Sequence, residues 1–394
     1  DRFYGRAMRI HEFLSRSGRI WGYDPFDMAG YLSGPFLEVG THVLALASHL
    51  LDPVVPVALT MLVLELTGLA VAPFFLVVAA RLFGATRNQA WTTFGLAVFL
   101  TGGVEPFSTG MYKLGLWGWM MSSHLAIVQL GVMWWFLDMP RDISWPRAVG
   151  RWAAFAVATS FVFQVHPSSF IIVAGPCAVA YLLAFRRMSV QRHAALALGA
   201  AMAGASNWYW ISPFIAFPKW RMTAPYYDTA GFLDVLERFG PFQKDFYASV
   251  SALLHLTLLV IALRGVAQVW RVSRDRAIVL GSWLAWLALI CYFGSSLPWV
   301  RTLQPGRNEF PLWLGLYVAA GFSFAAVAGA TRRSRILAVL LAVFGISYVF
   351  ELVPGMSPWS KFAAPLTTTL PSWQRDLVLY LSREQDRRHP VLLE

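Results

Sequence analysis

Ten apolar runs separated by short polar clusters set the terms for anything this chain can fold into. They lie at 54–80, 88–101, 119–137, 150–164, 168–185, 194–217, 247–263, 277–293, 310–330 and 334–351. A helix needs about 20 apolar residues to cross the roughly 30 Å hydrocarbon layer of a bilayer, and most of these runs reach or approach that length. In lipid each backbone N–H and C=O must be satisfied within its own segment, so such runs are expected to be helices. The fold class that follows is all-α, a polytopic transmembrane helix bundle of about ten spans. The runs 88–101 and 150–164 are short for a crossing. They are expected to be broken, to extend into their flanks or to tuck between neighbours.

Composition agrees. Charged residues are 13% of the chain and hydrophobic residues 57%, whereas a soluble domain carries about 25% charged residues. The net charge of +11 raises the question of nucleic acid, but the basic residues recur between apolar runs instead of pooling on one element. That is the pattern of membrane topology, so the expected partner is the lipid bilayer, with no nucleic acid. Cys177 and Cys291 both fall inside apolar runs and read as small buried hydrophobes.

Loop charge gives the orientation. Segments 81–90, 138–152, 186–193, 264–276 and 331–335 together hold fifteen Lys and Arg, while 102–118, 164–168, 217–248 and 294–309 hold seven over a longer stretch. Basic loops stay cytoplasmic. Arg81, Arg187, Arg274 and Arg333 are therefore expected inside, and His166, residues 217–248 and residues 297–309 outside. The chain divides into a first outer loop at 1–52, a bundle at 53–352 and an outer tail at 353–394. In the tail Trp373, Leu377, Tyr380 and Leu381 recur at helical spacing, and HPVLLE at 389–394 reads as the first strand of a soluble domain.

The first loop opens on an amphipathic segment. Phe3, Ala7, Ile10 and Leu14 form one helical stripe, Arg2, Arg6, Arg9 and Arg16 another, and Gly18 supplies a stop. This describes a helix lying on the membrane surface with its guanidinium groups at headgroup level. It serves as an anchor, or as a grip on a lipid phosphate. Next comes GRIWGYDPFDMAGYLSGP at 18–35, where Asp24 and Asp27 sit among Trp21, Tyr23, Phe26 and Tyr31. Carboxylates beside aromatic faces suit sugar binding, general-base work or a metal. Asp before Pro also opens turns, and Asp27 also suits a helix cap.

Other candidates on the outer side are Glu105, His166, Asp228, Glu237, Arg301, Arg307 and Glu309. Arg301 and Arg307, in PWVRTLQPGRNEFPLW at 298–313, stand where a phosphate headgroup would lie or where arginines snorkel to the interface. Glu65 falls near the middle of an apolar run, and an intramembrane carboxylate marks function or a buried partner.

Taken in order, DRFYGRAMRIHEFLSRSG, WGYDPFDMAGYLSGP, VHPSSF at 165–170, NWYWISPFI at 207–215, QPGRNEF at 304–310 and RDLVLYLSREQDRRHPVLLE at the end resemble the glycosyltransferase-C superfamily. The likeness is to large bacterial multi-spanning members, including those titled 6-pyruvoyl-tetrahydropterin synthase-related membrane proteins. That family has a span before the first loop and an acidic residue just after it as catalytic base. The paired-acid signature of some of its branches does not occur here.

By resemblance Asp1 would be the base and Asp24 or Asp27 a second acidic or metal-binding group. Arg301 or Arg307 would contact the donor phosphate, with Arg6 and Arg9 of the first helix beside it. The implied activity is transfer of a sugar from a polyprenyl-phosphate donor to a glycan or protein acceptor outside the bacterial cytoplasmic membrane. A divalent metal, Mg or Mn, is the one cofactor this would admit. Two other classes stay open: a transporter or flippase of a lipid-linked substrate, and a non-catalytic scaffold for an outer domain.

Overall fold

The computed structural model describes residues 2–19, 22–24, 31–33, 39–51, 57–99, 117–140, 142–166, 169–216, 228–239, 246–301 and 303–327. The chain divides into two units, Asp1–Ala342 and Val343–Glu394, and every described residue belongs to the first. The apolar run 334–351 and the expected outer tail at 353–394 lie outside the described residues.

Helices account for nearly all of what is described. They are α1 (Arg2–Ser17), α2 (Val39–Leu51), α3 (Val57–Leu82), α4 (Arg87–Phe99), α5 (Trp117–Leu137), α6 (Trp145–Val165), α7 (Ser169–Ala184), α8 (Val190–Ser206), α9 (Trp208–Ala216), α10 (Phe232–Phe239), α11 (Phe246–Val272), α12 (Arg274–Phe293), α13 (Pro298–Arg301) and α14 (Glu309–Val327). A three-residue antiparallel ladder joins β1 (Gly22–Asp24) to β2 (Tyr31–Ser33), with Tyr23 opposite Leu32. Five segments among the described residues are long and apolar enough to cross a membrane: Gly118–Leu137, Trp145–Val165, Ser169–Arg187, Ala252–Val272 and Arg274–Ser296.

The two short runs resolve differently. The run at 150–164 gains a turn and more at its start, because Pro146 stands in the first turn, where its missing N–H costs nothing, giving α6 its 21 residues. The run at 88–101 stays short: α4 has 13 residues, about 20 Å at 1.5 Å per residue. It is tucked against α3 and α14. The run at 194–217 breaks at Asn207, which is fully buried. Its amide donates to the Ala203 carbonyl at 2.8 Å and to the Ser160 carbonyl at 3.1 Å, and it accepts from the Trp210 indole at 2.7 Å. These bonds occupy the polar groups that a helix interruption at depth would otherwise strand.

Burial sorts the helices. Every residue from Asn308 to Ser323 is buried, so α14 is the axis of the bundle, apolar all round as a central helix should be. α5 lies beside it with 78% of its span inside protein, whereas α6, α7 and α11 have 28%, 39% and 33%. The remaining faces of those outer helices carry Val157, Phe161, Leu182, Val260 and Leu263 to the exterior, which is the surface a bilayer would wet with lipid.

Close approach needs small residues. A Cβ on Gly265 of α11 would overlap the Ala319 carbonyl of α14, and one on Gly321 would meet the side chain of Thr93 on α4. Dispersion contacts at such short range hold helices together where no hydrophobic force distinguishes lipid from side chain.

The loops sort by the ends they share. Arg187 pairs with Asp275 at 2.7 Å and Arg276 with Asp138 at 3.1 Å. Arg192 donates to the Met139 carbonyl at 2.6 Å, and Arg151 to the Trp135 carbonyl at 2.8 Å. Three loops of the Arg-rich set, 138–152, 186–193 and 264–276, thus meet at one end of the bundle.

Candidate functional site

The opposite end collects the polar chemistry. Three pieces of chain build it: the helix α10 with its lead-in from Asp228, the turns between α12 and α14, and the corner where α6 passes into α7.

Two ion pairs clip the first piece onto the second. Asp228 accepts from Arg301 Nε at 2.8 Å, and Arg238 contacts both carboxylate oxygens of Glu309, donating to Oε2 at 2.8 Å. The Thr229 amide donates to Ser295 Oγ at 2.8 Å between them. Arg301 is open to solvent, so its pair with Asp228, which raises its pKa by hydrogen bond and by charge, is of the weak surface kind. Glu309 differs: it is 6% exposed, and its Oε1 also faces the Trp313 indole N–H at 3.4 Å. A desolvated carboxylate at a helix start, held by one guanidinium at two points, is a strongly constrained charge.

Gln304 sets the approach to this helix. Its φ of 56° places it in the left-handed region, a strained conformation for a residue with a side chain. The turn it makes leads through Pro305–Asn308 into α14, and carries Arg307 alongside Glu309.

His166 closes the third side. It caps α6, with its backbone N–H on the Val162 carbonyl, and its ring lies edge-on to Trp119 at 5.2 Å. Protein atoms crowding the imidazole, with the nearby Arg307 charge as a smaller cause, push its pKa down to about 3. The ring is therefore neutral across ordinary pH. Aromatic groups line the floor below. His255 tilts over Trp313 at 4.3 Å, Phe239 lies 5.8 Å from the same indole, and His124 meets Phe310 at 5.6 Å.

Of the residues expected from sequence, His166, Asp228, Arg301, Arg307 and Glu309 converge here. Arg9 is on α1, where it and Arg16 flank Glu12, Arg16 at 2.8 Å. Ile10 of the same helix is buried, and Gly18 ends it at φ 66° with its N–H on the Leu14 carbonyl at 3.0 Å. Arg6 falls within α1, Asp24 in β1, Glu65 in α3 and Glu237 in α10, each described in backbone only. Asp1, Asp27 and Glu105 lie outside the described residues. Arg238, which holds Glu309, was not among the candidates. Its signal was the segment FLDVLERF, strongly amphipathic over just eight residues.

Among the described residues no three His, Cys, Asp or Glu side chains gather as a metal site requires. Asp24 is fixed in backbone only and Asp27 is not described, so no chemical step is routed through a metal. Cys177 is half-buried, with its thiol 3.9 Å from Gln129 Oε1, and Cys291 is buried. Comparison with known proteins finds no matching family model, no match among curated proteins and no match among solved structures.

Proposed function

We propose that this chain is a membrane glycosyltransferase that takes its sugar from a polyprenyl-phosphate-linked donor and passes it to a glycan or protein acceptor on the far side from the Arg-rich loops. The observation that carries the reading is the placement of Arg307, Arg301 and Arg238 with Glu309, Asp228 and His166 at one end of an apolar bundle. A lipid-phosphate donor presents three features: an acyl-like chain, an anionic phosphate at the interface and a hydroxyl-rich ring. Lipid-facing helix flanks suit the first. Guanidinium groups suit the second, because a planar fork matches phosphate oxygens two at a time. The Trp and Phe faces around carboxylates suit the third.

In this reading a carboxylate removes the proton from the acceptor hydroxyl as that oxygen attacks the anomeric carbon. The bond from that carbon to the lipid phosphate breaks, and the arginines stabilise the departing phosphate. By resemblance Asp1 is the base, and Asp24 or Asp27 the second acidic group, with Arg6 and Arg9 near the donor headgroup. Removing such a base costs about 10²–10⁴ in rate. The bacterial cytoplasmic membrane, with the working face outward, is the proposed location.

The test is transfer of radiolabel from a panel of polyprenyl-phosphate sugars by membranes holding the full-length protein, with and without added Mg or Mn. Asp1→Asn, Asp24→Asn and Asp27→Asn are compared with wild type. Transfer by wild type and its loss in Asp1→Asn establish reaction and base together. Wild-type membranes that transfer from no donor would overturn the reading in favour of a lipid-linked-substrate transporter or a scaffold.

A further inference from the structure

The helix α10 carries an apolar face that is largely exposed among the described residues. At about 100° per residue, Phe232, Leu236 and Leu233 fall on one side. Val235 and Phe239 fall on the next, with Arg238 beyond them, and Asp234 and Glu237 complete the circle. The structure uses these sectors differently. Val235 and Phe239 pack against the core, and Arg238 reaches Glu309. Asp234 turns back to accept from the Ala230 N–H at 2.6 Å, closing the first turn. Phe232, Leu233 and Leu236 remain 63%, 67% and 49% exposed.

Three large apolar side chains left in water on an eight-residue helix would cost several kcal/mol, at about 1.5–3 kcal/mol each. Their neighbours say what covers them. A Cβ placed on Gly231, the residue before α10, would stand at van der Waals distance from the ring of Phe293, the last residue of α12. Phe293 and Leu297 are themselves exposed, so the bare face of α10 continues the exposed apolar surface at the end of a candidate membrane span. A surface at that level, greasy on the side away from the core and acidic on another, fits the boundary between headgroups and acyl chains.

We propose that α10 is an interfacial helix whose Phe232, Leu233 and Leu236 insert into the lipid leaflet while its opposite side holds Arg238 on Glu309. The partner is the bilayer itself, about 5–10 Å below the headgroup surface. The helix then ties the candidate site to the membrane plane, so an amphiphile moving in the leaflet meets α10 before it meets Glu309. This surface stands independently of the proposed sugar transfer.

The experiment uses the full chain, with Cys177 and Cys291 replaced by Ala, reconstituted into phosphatidylethanolamine and phosphatidylglycerol vesicles. An environment-sensitive fluorophore is attached at Leu233→Cys or Leu236→Cys. Val260→Cys, exposed midway along α11, serves as the lipid reference and Arg186→Cys, in an exposed loop, as the aqueous one. Quenching is compared between a lipid-borne nitroxide and iodide in the buffer. Nitroxide quenching at 233 and 236 comparable with Val260, and iodide quenching several-fold weaker than at Arg186, is the expected result. Iodide quenching equal to that at Arg186 overturns the proposal, because the face is then wet. Protection from both quenchers overturns it too, because protein then covers the face. Using two positions keeps the outcome decisive if one variant fails to fold.

Discussion

Arg238 and Glu309 stand 71 residues apart in sequence and meet as a two-point ion pair at the start of the bundle's central helix, with the carboxylate almost wholly removed from solvent. Removing one member of a buried pair leaves a charge without compensation, which costs about 3–5 kcal/mol, whereas removing both costs far less. Arg238→Met is therefore expected to lower the thermal transition of the detergent-solubilised protein sharply. The double variant with Glu309→Gln should recover much of that loss. Equal stability of the single variant and wild type would show that the pair is not desolvated.

The crowded imidazole of His166 makes a pH prediction. Its pKa is held at about 3 instead of the ordinary 6.5, so the folded state disfavours the charged ring. A base with a lowered folded pKa has its full contribution above the unfolded value and loses it as pH falls. Stability should decline from about pH 6.5 downwards until protonation is complete near pH 3. Thermal transitions recorded from about pH 7.5 down to about pH 4.5 should fall less steeply in His166→Gln than in wild type. Identical slopes would contradict the assignment.

The contact between α11 and α14 depends on Gly265. An added methyl group would overlap the Ala319 carbonyl, and backbone cannot swing aside as a side-chain tip can. Gly265→Ala should destabilise by about 1–3 kcal/mol or more, the usual cost of overpacking. Gly95→Ala on α4 provides the contrast: open space surrounds that position, and Ala is the better helix former by about 1 kcal/mol. Comparable loss in both variants would mean that helix packing is not what Gly265 serves.

Sidedness is tested by labelling intact cells. Ala230→Cys, in the exposed turn before α10, should react with a membrane-impermeant maleimide, and Arg186→Cys should react after permeabilisation alone. The reverse pattern would invert the orientation that the Arg-rich loops imply.

Much of the architecture was legible in the sequence because lipid imposes a simple rule. A long apolar run must satisfy its own backbone, so α5, α6, α7, α11 and α12 follow from hydropathy, and α1 follows from its two stripes and Gly18. What hydropathy does not encode is local chemistry at depth. The break at Asn207 depends on one amide finding Ser160 on another helix. The shortness of α4 is tolerated because α3 and α14 cover it.

At the site, sequence position was enough to single out Arg301, Arg307, Glu309 and His166, since each sits at the end of a span. It was not enough to find Arg238, whose role depends on a partner 71 residues away. Pairings of that kind become visible only when the chain is folded.

The measurement that bears most directly on the account compares the two ends of the bundle in a single assay. Sugar transfer from a polyprenyl-phosphate donor is followed in proteoliposomes for wild type, Arg307→Gln and Arg187→Gln. Arg187 pairs with Asp275 at the Arg-rich end, far in the fold from the proposed chemistry. The account predicts that Arg307→Gln lowers the rate by about 10²–10³-fold, as loss of one charge-stabilising donor does, while Arg187→Gln transfers at nearly the wild-type rate. Undiminished transfer in Arg307→Gln, or an equal loss in both variants, would contradict it.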